Sequence, residues 1–219
     1  MARVRKIDWL NHSLEFLVVV VGILIAFQLN TCSEEKKEAQ IVQRHTTNII
    51  AETKFNRNNI ERTLTQCENL KAKIDTLLIE VTSGQNVEKI NSLSLEALQL
   101  NNGYYKQNAY NAVVETGDMR LYEDVELRDD IISLYEYYAW AKGIDEATLE
   151  TYTTYYYPYA VENFDLINGE PQAIEKYNNR KFGNILAGYS YMMKFRIEKQ
   201  KELLEKTTEF LDKYDHSSD

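Results

Sequence analysis

Proline and glycine are scarce, at two and eight of 219 residues. So little punctuation excludes a loop-rich or strand-and-turn architecture, and the plentiful Lys, Glu, Leu and Ile point to an all-α chain. Cysteine is nearly absent: Cys32 and Cys67 are the whole inventory, which excludes a disulfide framework. On one straight helix the two would stand ~50 Å apart, beyond the reach of a mutual disulfide. Each is then an inert thiol or pairs between chains, Cys32 at the membrane boundary being the better placed for that. Three histidines, His12, His45 and His216, are too few and too scattered for a catalytic triad or a zinc site. Basic residues are in deficit, 25 against 34 acidic for a formal charge of -9, and a nucleic-acid-binding face needs the opposite balance. No glycine-rich phosphate loop follows a strand. The expectation is a non-enzymatic protein with no cofactor, no metal site and no nucleic-acid partner.

What the chain has is one long apolar run. Residues 10–30 read LNHSLEFLVVVVGILIAFQLN, uninterrupted from Phe16 to Phe27. As a helix the segment is ~30 Å long, the hydrocarbon thickness of a bilayer. Its polar and small residues, Asn11, Glu15, Val19, Gly22, Ala26 and Asn30, share one helical face. Gly22 and Ala26 form a small-xxx-small pair suited to close helix approach, which makes Glu15, Gly22, Ala26 and Asn30 the candidate packing face of a homo-oligomer in the lipid bilayer. Three other identities stand beside the span. A cleaved signal peptide lacks its small-x-small site in Ala26-Phe27-Gln28-Leu29, a lipoprotein signal lacks a small residue before Cys32, and a buried helix of a soluble protein fits the apolar run alone. Arg3, Arg5 and Lys6 precede the span and Glu34-Glu35-Lys36-Lys37 follow it, so the positive-inside rule places residues 1–9 in the cytoplasm and residues 31–214 in the periplasm of a Gram-negative cell. The address is the inner membrane, single-pass. About 185 residues beyond the span suffice for one domain with its own core.

Beyond the span, a helix is expected over residues 33–82. Thr31-Cys32-Ser33-Glu34 fits a capping box, and an unbroken helix through it fits equally. One seam runs its length: Val42, Thr46, Ile49, Thr53, Asn56, Ile60, Thr63, Cys67, Leu70, Ile74, Leu77 and Val81, in alternating steps of four and three. That heptad period gives a coiled-coil-like rod ~70 Å long. Its middle is too polar for a strong isolated coiled coil, so the seam is a candidate for self-contact. Asn56 is read as solvent-facing, with chain register its other role.

Short helices are expected within residues 92–116, the first from Ser92 to Leu100 and the second from Asn108 to Thr116, with Gly117 as a left-handed cap. Residues 125–141 follow, with Leu127, Ile131, Leu134, Tyr135 and Tyr138 on one face. Gly143 and Asp145 mark a boundary, Asp145 as N-cap of a helix over residues 145–167 that Pro158 should kink. The last helix covers residues 178–214, with Ile185, Tyr189, Met193, Ile197, Leu204, Leu211 and Tyr214 inward, antiparallel to the first. Residues 215–219 are a tail. Sixteen tyrosines are an unusual load, since a tyrosine can fill a core and still place its hydroxyl on water or a backbone carbonyl.

The pairing of LEFLVVVVGILIAFQLN with AYNAVVETGDMRLYEDVELRDDIISLYEYY resembles an uncharacterised bacterial membrane-protein family, a domain of unknown function with one N-terminal span and a helical region. Glu15, Gly22, Ala26, Gln28 and Asn30 match its span, and Tyr110, Gly117, Leu127, Tyr135 and Tyr138 match its second block; Cys32 stands where the family commonly has tryptophan. The resemblance implies an inner-membrane protein and no assigned activity.

Two features invite a ligand. Glu115, Asp118, Glu123, Asp124, Glu126, Asp129 and Asp130 crowd one stretch, but without the ordered alternation of a calcium loop they read as a solvated helix start. Tyr152, Tyr155, Tyr156, Tyr157 and Tyr159 could line a pocket for a planar or cationic ligand, or simply fill core and interface. The functional reading is a self-associating scaffold element of the envelope, docking an envelope protein partner. The alternative is a periplasmic sensing module that signals through a partner membrane protein.

Overall fold

With no proline before residue 158 and no glycine between 22 and 84, nothing interrupts the first helix. In the computed structural model, which describes residues 9–215 and residues 9–12 by their backbone alone, α1 runs unbroken from Trp9–Ser83, 75 residues and ~110 Å long. The capping box at Thr31 is not used: Asn30 Nδ2 donates instead to Glu34 Oε1, 3.1 Å away on the surface of the continuing helix. Expectations that fall on Arg3, Arg5, Lys6, His216 and the rest of the tail, and on the side chain of His12, lie outside the described residues.

The other helices fold back along the outer half of α1. Asn86 accepts from Lys89 N–H at 2.9 Å and opens α2 (Val87–Glu96), so the start expected at Ser92 is corrected to Val87. Residues 97–107 are a strap leading to α3 (Asn108–Thr116), which Gly117 ends at φ 73° as expected. A 3-10 turn, Asp118–Leu121, replaces a plain connector. Asp124 accepts from Leu127 N–H at 3.0 Å and caps α4 (Val125–Thr151).

The boundary expected at Gly143 and Asp145 does not exist, because α4 passes through both. Asp145 is consumed by a tertiary ion pair instead of a cap. Nor does Pro158 simply kink a helix. Five residues before it, Tyr152–Tyr156, form a π-turn in which Tyr157 N–H reaches back to the Tyr152 carbonyl, and α5 (Tyr157–Asn163) continues from there. A proline lacks the N–H for its i−4 carbonyl and crowds it, and the wider turn accommodates both defects. This helix ends at Asn163, before the 167 expected. Asn179 then caps α6 (Arg180–Tyr214), accepting from Phe182 N–H at 3.0 Å.

α6 lies antiparallel on α1, with Ser190 against Asp75, Lys201 against Glu68, and Asp215, expected in a loose tail, bonded to Lys54 at 2.6 Å. α4 packs antiparallel on α6 in turn, through Asp130–Lys213 and Asp145–Arg196. Among the described residues there is no strand. Buried apolar side chains fall into two clusters. The outer one holds Leu70, Ile74, Leu77, Tyr156, Phe182 and Tyr189, and the inner one, nearer the apolar segment, holds Ile49, Ile60, Ile131, Tyr138 and Leu203. The tyrosine load finds its reason here: Tyr156 donates to Ser94 O at 2.6 Å, Tyr159 to Lys176 O at 2.7 Å and Tyr177 to Asn91 Oδ1 at 2.7 Å, each ring filling core while its hydroxyl satisfies a polar group.

Candidate functional site

The apolar segment makes no tertiary contact that buries it. No residue from 13 to 44 is buried, and its 18-residue apolar window, mean hydropathy 2.1, is 0% buried. Phe16 and Phe27 are 71% and 66% exposed. Among the described residues this is one helix long and apolar enough to cross a membrane. The face bearing Glu15, Gly22, Ala26 and Asn30 belongs to this uncovered stretch, and a Cβ placed at Gly22 would meet no atom within 4 Å.

The seam is where the sequence placed it, and it is filled by the same chain. Ile49, Thr53, Asn56, Ile60, Thr63, Cys67, Leu70, Ile74, Leu77 and Val81 are all buried, under α6 above all. The rod therefore does not stand free, and the seam is not a surface left for self-contact. Asn56 is corrected outright: it is 0% exposed, its Nδ2 donates to Lys106 O at 2.9 Å, and its Oδ1 accepts from Lys106 N–H at 2.8 Å. Glu52 accepts from Ala109 N–H at 3.0 Å and from the Tyr135 hydroxyl at 2.5 Å. Asn56 thus supplies both backbone hydrogen bonds that Lys106, in a strap of no regular structure, must find somewhere, and Glu52 serves the first turn of α3. Burial, then the bond to Glu52, pushes the Tyr135 hydroxyl well above its ordinary value.

Between the two apolar clusters sits a polar centre. Arg196 Nε donates to Asp145 Oδ1 at 2.7 Å, with side chains 1% and 6% exposed. Asp145 Oδ2 accepts from Gly103 N–H at 3.0 Å, and Gln200 Nε2 donates to the Tyr105 hydroxyl at 2.5 Å. A Cβ at Gly103 would collide with the Asp145 carboxylate and the Tyr105 ring, so the close approach requires glycine. Burial pushes the Cys67 thiol up to about 11, against a smaller opposing pull from Arg196. Sequence reasoning missed Arg196, Gln200, Asp145 and Glu52. A signal existed for two of them: Tyr189, Met193, Arg196, Gln200, Leu203, Thr207 and Phe210 recur in steps of four and three, and all are buried. Leu204, expected inward, is only half-buried because that seam runs through Leu203.

The tyrosine group is split. Tyr156 and Tyr159 are core, Tyr152 is half-buried with its hydroxyl on Leu98 O at 3.1 Å, and Tyr155 is 59% exposed. Tyr157 is exposed as well, so the five divide between core and surface, and packing is the reading their positions favour over a shared pocket. Two open grooves lie apart from these tyrosines: one of about 480 Å³ between α4 and α6, beside Asp130, Tyr137 and Lys206, and one of about 590 Å³ between α1 and the start of α4, beside Glu38, Val42, Leu121 and Asp124. The crowded carboxylates are divided among several partners. Asp118 meets His45 Nε2 at 2.9 Å, Asp124 caps α4, and Glu126 and Asp130 hold Lys213 at 2.6 and 2.7 Å. Among the described residues no three His, Cys, Asp or Glu side chains converge as metal ligands would.

Compared with protein-family models, with curated proteins and with solved structures, the chain matches none of them.

Proposed function

We propose that the chain is a non-enzymatic, single-span membrane protein of the bacterial inner membrane whose helical bundle stands in the periplasm as a self-associating scaffold element. The observation that carries this reading is the complete exposure of the apolar window in a helix whose other end is the spine of the bundle. Water would penalise a dozen exposed apolar side chains at about 25 cal/mol for every Å², whereas lipid accepts them without cost. The basic cluster Arg3, Arg5 and Lys6 ahead of the span, against the balanced Glu34-Glu35-Lys36-Lys37 after it, favours a cytoplasmic N-terminus.

Burial begins at His45, so only the 14 residues 31–44 of α1, ~20 Å, separate the end of the span from the first buried residue of the bundle. The domain sits close above the headgroups. With the seam occupied by α6, self-association falls to the face of Glu15, Gly22, Ala26 and Asn30, where small side chains permit the close approach that dispersion needs in lipid. Mass measurement of the detergent-solubilised protein beside Gly22→Leu tests it: wild type is an oligomer and the variant a smaller species, and equal masses overturn the packing face.

A further inference from the structure

We infer that the polar centre of the bundle is a binding site for ordered water, seated between Arg196 and Gln200. A guanidinium carries five N–H donors. In Arg196, which is 0% exposed, Nε is committed to Asp145, while Nη1 and Nη2 are buried and find no acceptor in the chain. One turn along the same face of α6, Gln200 is 1% exposed and its Oε1 is a buried acceptor without a donor. Both side chains reach the same Asp145 Oδ1, Arg196 Nε at 2.7 Å and Gln200 Nε2 at 3.4 Å, so the orphaned donors and the orphaned acceptor belong to one polar cluster, and an occupant that suits both must accept and donate.

Charge and size narrow the choice. Asp145 already neutralises Arg196, so an anion would leave uncompensated negative charge in an interior that penalises it, and a cation would face the guanidinium. The neighbouring Cys67 is held as a neutral thiol and supplies no balancing charge. Arg196, Gln200, Asp145 and Cys67 are each 5% exposed or less, a degree of enclosure that favours a small occupant over an organic molecule. Water is neutral, small, and needs two to four polar partners, which Nη1, Nη2 and Oε1 provide.

The test is a crystal structure of the full-length protein in detergent, grown with bromide as the halide. The expected result is solvent density within hydrogen-bond distance of an Arg196 terminal nitrogen and Gln200 Oε1, without bromide anomalous signal. A bromide peak there would make it an anion site, and a guanidinium turned onto backbone carbonyls with no solvent would make it no site; either overturns the inference. Crystals of Gln200→Leu should lose the bridging water while keeping the Asp145–Arg196 bond, and a retained water would remove Gln200 from the site.

Discussion

Asp145 and Arg196, 51 positions apart, form the one ion pair whose two side chains are both under a tenth exposed among the described pairs, and it ties α4 to α6 midway along the bundle. An ion pair so placed gains little over an apolar pair of the same shape, but breaking it strands a charge. Arg196→Met is therefore expected to cost about 3–5 kcal/mol in urea denaturation. Asp145→Asn added to Arg196→Met should restore a substantial part, since the amide oxygen still accepts from Gly103 N–H and no net charge remains buried. Additive losses in the double variant would contradict the coupling.

Asn56 serves both backbone groups of Lys106. Replacing it with Leu keeps the volume approximately and orphans the N–H and the carbonyl of half-buried Lys106, at about 1 kcal/mol for each group. A solvent-facing asparagine would cost within about 0.5 kcal/mol. Urea midpoints of wild type and Asn56→Leu distinguish these, and amide exchange of the strap around Lys106 should accelerate first.

Acid weakens the inner end of the bundle. Hydrogen bonds from His45 and then Thr116 hold the Asp118 carboxyl below its ordinary range, and Lys213 and then Tyr214 do the same for Asp130. A carboxyl whose folded pKa is depressed adds stability above its unfolded value of about 3.9, and that stability is lost as pH falls through the folded value. Wild type should therefore lose stability between pH 5 and pH 3, and Asp118→Asn with Asp130→Asn should lose less over the same interval. Parallel curves for the two proteins would contradict this.

Thiol chemistry separates the two cysteines. Cys32 is exposed on α1, and Cys67 is buried with its thiol pushed up to about 11 by that burial. A maleimide should add once to the native detergent-solubilised protein, at Cys32, and twice after denaturation, as read by intact mass. Rapid double labelling of the native protein would show that the seam at Cys67 opens.

The seam of α1, the extent of α3, the Gly117 cap and the start of α4 were all legible, because each depends on local chemistry: heptad spacing, a left-handed glycine, acidic residues at a helix start. What escaped was set by distance along the chain. Asn56 looked like a surface residue because its partner Lys106 lies 50 positions away in an irregular strap. Asp145 after Gly143 looked like a helix start, and only Arg196 on α6 explains why it is interior to a helix. Arg196 itself sits in phase with Tyr189 and Met193, and a reading that allowed charge on a buried stripe would have found it.

The central claim, a bundle held in the periplasm by the exposed apolar end of α1, meets its most direct test in labelling of whole spheroplasts. With Cys32→Ser to silence the exposed thiol and Lys142→Cys on the exposed face of α4, a membrane-impermeant maleimide should label the protein before lysis, and the labelled protein should sediment with membranes after a carbonate wash. Labelling only after lysis, or recovery of the full-length chain in the supernatant, would contradict the account.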